Sequence, residues 1–265
     1  MTVREALDHG DRFVGLPFKY LSGRITVVPK SGPFKGKEVS LWDILEEKSR
    51  STTKKLSVTS KSWAGDVVEG IFGVPKNSSS SKDLGFLELK TFGIAAKGAG
   101  EIPKTMEANL KLSAFSWQSV NDMDFNSSSL HQKILQQLWV PLLKPPRAVN
   151  QDQELREQNK KALEWMGQFT MLRPMIWIPT KEDIASMQSE YESVREKVRE
   201  GEPNEVSMSK FPGNRFLVPN TGGKDSKTPT TYVDGLGNSH RVKTRSWMLR
   251  SSVVQGFFER QHKRH

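Results

Sequence analysis

D-L-G-F-L-E-L-K, residues Asp83 to Lys90, sets two carboxylates and a lysine in one short, largely apolar segment. Leu84 to Phe92 has the composition of a strand. Side chains on a strand alternate faces, so Glu88 and Lys90 at i and i+2 project from the same side. Asp83, just before the strand, can turn back to join Glu88 in offering hard oxygen ligands to Mg²⁺, while Lys90 can orient or polarise a water beside a phosphate. Taken alone, so short a string equally describes a charged strand on a solvated sheet face, and its surroundings must decide.

Upstream, S-W-A-G-D-V-V-E-G-I-F at Ser62 to Phe72 places Trp63, Val67, Val68 and Ile71 at a helical period, with Glu69 close to the same face. Pro75 to Lys82 is a Pro, Asn and Ser-rich break with the composition of a connection. A helix bearing a carboxylate, a loop and an acidic strand thus follow in order.

These segments resemble the MutH mismatch-repair endonuclease and the related GATC-cutting type II restriction enzymes, a branch of the PD-(D/E)XK nucleases. The matching stretches are W-A-G-D-V-V-E at Trp63 to Glu69 and L-G-F-L-E-L-K-T at Leu84 to Thr91. H-Q-K-I-L-Q-Q-L-W-V-P at His131 to Pro141 is similar to a family segment whose lysine lies near the active site. I-W-I-P-T-K-E-D at Ile176 to Asp183, a charged helix through Glu200, and R-S-W-M-L-R-S-S-V-V at Arg245 to Val254 recur in the family's order. The similarity spans roughly residues 35 to 260. It implies metal ligands at Asp83 and Glu88, a catalytic lysine at Lys90, an auxiliary acid and metal ligand at Glu69, and an active-site lysine at Lys133.

The implied fold is α/β, a restriction-endonuclease-like core with a central mixed β-sheet flanked by helices and two lobes forming a DNA cleft. The expected organisation is one nuclease domain over 1–265, with an N-terminal extension at 1–40, a catalytic lobe at about 41–145 and a recognition lobe at about 146–265. The implied cofactor is Mg²⁺ and the implied partner double-stranded DNA, with a homodimer and a cognate DNA methyltransferase as further expectations. The family's DNA-reading loop has an Arg-Pro-Lys sequence, whereas F-L-V-P-N at Phe216 to Asn220 keeps only the proline, and a tyrosine near the family's C-terminal DNA contacts corresponds to Met248. These departures favour a type II restriction enzyme that reads another site over a MutH-like nickase.

Composition agrees with a nucleic-acid partner. Forty Lys and Arg against thirty Asp and Glu give a formal charge of +10 in 265 residues, a balance suited to a polyanion through counterion release. Basic residues thicken in the final third, where Arg215, Asn220, Lys224, Lys227, Arg241, Lys243, Arg245 and Arg250 are the candidates for DNA contact. The loop from Asn220 to Thr231 is the expected base reader. Any single one of these cations could be an ordinary solvated charge; only the cluster has weight.

Zero cysteines exclude disulfides, Cys-based zinc sites and thiol catalysis, and the five histidines show no metal-ligand spacing before the tail. Neither a P-loop nor a G-x-S-x-G elbow is present. With no run of about 18 apolar residues and no signal-peptide pattern in Met1 to Gly10, the expectation is a cytoplasmic protein without a membrane partner. The rival from another class is a catalytically silent DNA-binding module. Retention of Asp83, Glu88 and Lys90 together argues against it, since unneutralised carboxylates repel a phosphate backbone unless a cation intervenes.

Elsewhere, Phe13 to Tyr20 is an apolar patch, Arg24 to Val28 is strand-like, and Pro29 to Lys37 must be turn or loop. The 1–40 segment is either an added recognition element or packing that extends the nuclease sheet. Ser40 is suited to cap a short helix over L-W-D-I-L-E-E-K. Lys97 to Lys104 reads as a turn, and Lys111 to Val120 as a strand or an irregular core segment. Gln151 to Trp165 is charged, proline-free and helical in composition, and the clearest helix is Glu182 to Glu200, stopped by Gly201. Val206 to Val218 and Thr230 to Val242 alternate as strands, and Q-H-K-R-H is a tail.

Overall fold

The computed structural model describes residues 2–28, 33–51, 61–74, 83–95, 104–105, 109–145, 159–221 and 229–262. Among these, helices and several β-sheets alternate along the chain, a mixed α/β architecture compatible with a restriction-endonuclease-like fold. The contacts divide the chain into two interleaved units: Met1–Ser79, Leu89–Met106 and Leu138–Ile176 form one, and Ser80–Glu88, Glu107–Gln137 and Trp177–His265 the other.

In the first unit, α1 (Val3–Asp11) starts from a capping box, with the Thr2 hydroxyl accepting from Glu5 N–H and the Glu5 carboxylate from Thr2 N–H. A turn through Gly15 leads to α2 (Phe18–Arg24), and β1 (Thr26–Val27) pairs antiparallel with β2 (Val39–Ser40). Ser40 then caps α3 (Leu41–Ser51), its hydroxyl accepting from Asp43 N–H at 3.1 Å as expected from the sequence. The helix read over Ser62 to Phe72 is α4 (Lys61–Ile71), which buries Val67 and Val68 completely.

The sheet of this unit contains β3 (Glu88–Ala95), β4 (Lys104–Thr105), β6 (Gln137–Lys144), β7 (Thr170–Met171) and β8 (Met175–Trp177), in the order β4-β3-β6-β7 with β8 beside β6. The T-shaped Phe92–Trp139 pair fills its core, and α7 (Asn159–Gly167) adds Leu163, Trp165 and Met166. Residues 2–28 contribute to this core rather than hanging from it. Ala6, Phe18 and Leu21 are buried, Phe18 N–H donates to the Phe169 carbonyl, and Pro17 bridges Thr170.

The second unit carries the antiparallel sheet β5-β12-β9, made of β5 (Asn109–Phe115), β12 (Arg245–Arg250) and β9 (Leu217–Thr221). The ambiguous Lys111 to Val120 segment is both things in turn: β5 ends at Phe115, and Ser116 caps α5 (Trp117–Asp122). Here α6 (Ser129–Ile134) precedes β6, and α8 (Lys181–Arg199) is the long helix anticipated from its periodicity. It starts from a Thr180–Asp183 capping box and buries Met187, Tyr191, Val194 and Val198. Tyr191 stacks on Trp247, which in turn contacts Phe115.

Four expectations shift. The strand anticipated from Leu84 begins only at Glu88, because Gly85 takes φ +76 and reverses the chain, a conformation open to glycine at little cost. Val206 to Val218 is not one strand: Met208–Lys210 is a 3₁₀ turn, and extended structure resumes at Leu217. Thr230 to Val242 is not one strand either but a hairpin, β10 (Pro229–Val233) with β11 (Ser239–Lys243), turned by Asp234 to Asn238 with Gly237 at φ +87. The final helix α9 (Ser251–His262) absorbs Gln261 and His262 of the anticipated tail. Residues 75–82, 97–103, 151–158 and 222–228, where further expectations fall, lie outside the described residues. No helix among the described residues is long and apolar enough to cross a membrane.

Candidate active site

Ser128 sets up the corner from which Lys133 projects. Its hydroxyl accepts from His131 N–H at 3.2 Å, starting α6, and donates to the Phe125 carbonyl at 2.6 Å. Leu130 and Ile134 face inward at 2% and 0% exposure, which fixes the helix's rotation. Beyond the helix, the fully buried Gln137 donates through Nε2 to the Lys133 carbonyl at 3.0 Å, and Gln136 accepts from Glu88 N–H at 3.1 Å. These bonds hold the Lys133 backbone beside the first residue of β3.

The result is an ion pair. Lys133 Nζ lies 3.1 Å from Glu88 Oε1, with side-chain exposures of 17% and 2%. A carboxylate so buried needs a compensating charge, and the ammonium of Lys133 supplies it. Asp83 stands at the other end of the short loop that leads into β3. That loop is closed by Leu84 N–H donating to the Leu87 carbonyl at 3.0 Å and turned by Gly85. Asp83 and Glu88 therefore flank a single tight loop, while Lys90, half-buried, follows Glu88 by two residues on β3.

Glu69 is half-buried on α4. Its Oε1 and Thr91 Oγ1 both lie 3.9 Å from the position a side chain at Gly65 would occupy, so the helix approaches β3 at Thr91, the residue after Lys90. Among the described residues no group of three or more His, Asp or Glu side chains gathers into a metal cage. The donors present suit Mg²⁺ nonetheless. That ion keeps several waters and uses one or two carboxylates together with substrate phosphates rather than a dedicated cage, and Asp83 and Glu88 are two hard-oxygen donors.

The basic candidates separate into distinct environments. Arg241 and Lys243 are exposed on β11 and alternate onto one face of the hairpin with Thr231 and Pro229 as register partners. Arg215 is exposed before β9, its guanidinium 4.8 Å from the Phe216 ring centroid. Asn220 lies on β9 opposite Ser246. Arg245 opens β12 over Trp117, whereas Arg250 donates to the Phe211 carbonyl at 2.7 Å, which ties the strand to the preceding loop. Lys224 and Lys227 fall outside the described residues.

Two polar anchors in this unit went unread in the sequence. The Glu190 carboxylate accepts from the backbone N–H groups of Phe216 at 3.1 Å and Leu217 at 2.6 Å, and also from Arg215, pinning the start of β9 to α8. Asp234 accepts from His240 Nε2 at 2.7 Å and from the N–H groups of Leu236 and Asn238, and these bonds, the His240 one foremost, hold its carboxyl far below the usual range. The Asp-Gly at the hairpin turn was the available signal for the second anchor. Nothing local announces the first.

Residues 72–190 match the family of the DNA mismatch repair enzyme MutH. The matched segment contains Asp83, Glu88, Lys90 and Lys133 and ends within α8, so it encloses the Glu88–Lys133 pair. Glu69 precedes it, and β9 to β12 with their cations follow it. The MutH match supports a DNA endonuclease of the restriction or mismatch-repair type, with DNA as substrate. No curated protein matches the chain.

Proposed function

We propose that this protein is a Mg²⁺-dependent, sequence-specific endonuclease that hydrolyses phosphodiester bonds of double-stranded DNA, acting as a type II restriction enzyme. The observation that carries the reading is the buried Glu88–Lys133 pair at the start of an E-x-K strand, inside the segment matched to MutH. Burying a carboxylate and an ammonium together is weak evidence of stability by itself, and hydrophobic residues often do as well. A phosphodiesterase has a use for both.

Asp83 and Glu88 would hold the metal ion. Bound Mg²⁺ supplies Lewis-acid polarisation of the phosphate and a more acidic water. Lys90 aligns the attacking water on the face it shares with Glu88, and Lys133 fixes the Glu88 carboxylate while placing positive charge near the phosphate. Glu69 would steady the metal or hold a second one. The water oxygen bonds to phosphorus as the bond to the leaving oxygen breaks, the water gives up a proton to solvent, and the leaving oxygen takes one from it. The type II assignment over a nickase rests on the DNA-reading segments, which depart from the MutH pattern at Phe216 to Asn220 and at Met248.

The test is incubation of the purified protein with unmethylated plasmid and phage DNA in Mg²⁺, beside Asp83→Ala, with sequencing of product ends. Discrete fragments from the wild type alone are expected. Nicked circles alone would move the assignment to a MutH-like nickase. DNA left intact by both proteins, yet bound equally by both, would support a silent binding module.

A further inference from the structure

Three arginines of the second unit, Arg195, Arg245 and Arg250, have a buried Nε with no acceptor. Two of them satisfy the rest of the guanidinium within the protein: Arg195 donates to Glu192 at 3.0 Å and Arg250 to the Phe211 carbonyl at 2.7 Å. Arg245 is different. Among the described residues no carboxylate or carbonyl takes its N–H groups, and its one neighbour of consequence is the Trp117 ring, 5.7 Å from the guanidinium carbon. Burial lowers its pKa with no acidic side chain offsetting that effect.

The indole beneath it is rigid. Trp117 is 2% exposed, donates through Nε1 to the Lys243 carbonyl at 2.9 Å, and stacks on Tyr232 with ring centroids 5.3 Å apart. Tyr232 is in turn fixed by its hydroxyl donating to the Val198 carbonyl at 3.1 Å. Arg245 therefore rests on an anchored aromatic column, partly stripped of water and, among the described residues, without a counter-anion. A cation–π contact returns only part of the solvation lost. Such an arrangement is stable enough to persist, and it leaves a planar fork of donors pre-set for an acceptor from outside.

Its place in the sheet says what that acceptor is. Arg245 pairs with Thr221, the last residue of β9, from which the chain departs into 222–228. Immediately before it, Arg241 and Lys243 stand exposed on one face of the hairpin, as solvated cations suited to phosphates. A fork lying over an indole instead suits two acceptors at fixed spacing, and in duplex DNA the commonest such pair for arginine is O6 and N7 of guanine. We propose that Arg245 reads a guanine in the major groove of the recognition site, a role that rests on the DNA-cleaving function argued above.

The experiment is selection of bound duplexes from a randomised library, in metal-free buffer, by the wild type, Arg245→Ala and Arg245→Lys. The wild type should enrich a sequence with guanine at one position. Both variants should lose that preference by roughly 5- to 140-fold, the equivalent of the ~1–3 kcal/mol of a bidentate pair, while preferences elsewhere and the salt dependence of non-specific binding stay put. Lysine keeps the charge but not the fork, so it carries the test if the alanine variant does not fold. An unchanged consensus would overturn the inference. So would uniform weakening across sequences in Arg245→Ala with a salt slope shallower by about 1, the mark of a phosphate contact. If the wild type cuts at a defined site and Arg245→Lys retains the same preference, only this inference fails. If the wild type neither selects nor cuts DNA, the endonuclease reading falls with it.

Discussion

Replacing Lys133 by methionine keeps the stem of the side chain and removes its charge from beside Glu88, which is 1% exposed. At the observed 3.1 Å separation and an effective dielectric near 20, the lost Coulomb attraction is about 5 kcal/mol. Breaking buried pairs by removing one partner costs about 3–5 kcal/mol. Lys133 retains 17% side-chain exposure, so water can partly replace it and the lower end applies, about 3 kcal/mol. For a protein of this size that corresponds to a melting point lower by roughly 6–12 °C. Adding Glu88→Gln should recover part of the loss, since the carboxylate that Lys133 faces is then neutral, giving a coupling of about 1–2 kcal/mol in the double-mutant cycle. If Glu88 holds Mg²⁺, the ion should also rescue Lys133→Met, by about 2.7 kcal/mol when present at a hundred times its dissociation constant. Urea unfolding followed by circular dichroism, in EDTA and in Mg²⁺, measures all three. A single variant within about 0.5 kcal/mol of wild type, or strictly additive effects, would refute the reasoning.

Other outcomes follow from the site and its supports. Asp83→Asn should slow DNA cleavage by about 100-fold or more while metal-free DNA binding changes by less than about twofold; gel assays of both decide it, and unimpaired cleavage would remove Asp83 from the metal site. Glu190→Ala should destabilise by about 2–5 kcal/mol, because the half-buried N–H groups of Phe216 and Leu217 lose a charged acceptor, and Glu190→Gln should cost less; chemical denaturation measures both. Gly201→Ala should cost more than about 1 kcal/mol, since Gly201 has φ +72 and the new Cβ would lie 2.5 Å from Asp234 Oδ2; a variant as stable as wild type would contradict this geometry. Asp234 has a depressed folded pKa, so its stabilisation is fully present above the unfolded carboxylate value near 4 and is lost as pH falls toward the folded one. The melting-point gap between wild type and Asp234→Asn should accordingly shrink as pH falls below about 4; a gap that stays constant from about pH 5 down to about pH 3 would count against the Asp234 linkage.

The parts of this fold that the sequence makes legible are those with a local cause. The α8 helix combines a periodic apolar stripe, a capping Thr180 and a stopping Gly201, and Ser40 announces α3 in the same way. The strand in the acidic segment starts four residues later than its composition suggests, because the apolar pattern of Leu84 to Leu87 is silent about the left-handed Gly85 that delays β3. The Lys133–Glu88 contact spans 45 positions, and no local pattern encodes it; only the family resemblance points to Lys133. The tie of Glu190 to residues 215–217 and the Trp117 platform under Arg245 are likewise non-local. A tryptophan beside a short helix reads as core until the strand that lies against it is known.

The order of strands in the β5-β12-β9 sheet has a consequence for how this chain is made. β12 is the middle strand, yet both of its partners are synthesised before it, β5 by residue 115 and β9 by residue 221. Until residues 245–250 leave the ribosome, each waits with an unpaired edge, and the Trp247 side that joins Phe115 to Tyr191 is missing. Such late, long-range pairing is slow and leaves edges open to other chains. A nascent chain stalled or clipped before Arg245 should thus be aggregation-prone, whereas Asp83, Glu88 and Lys133 have long since been translated. The arrangement delays assembly of this sheet until residues 245–250 have been translated.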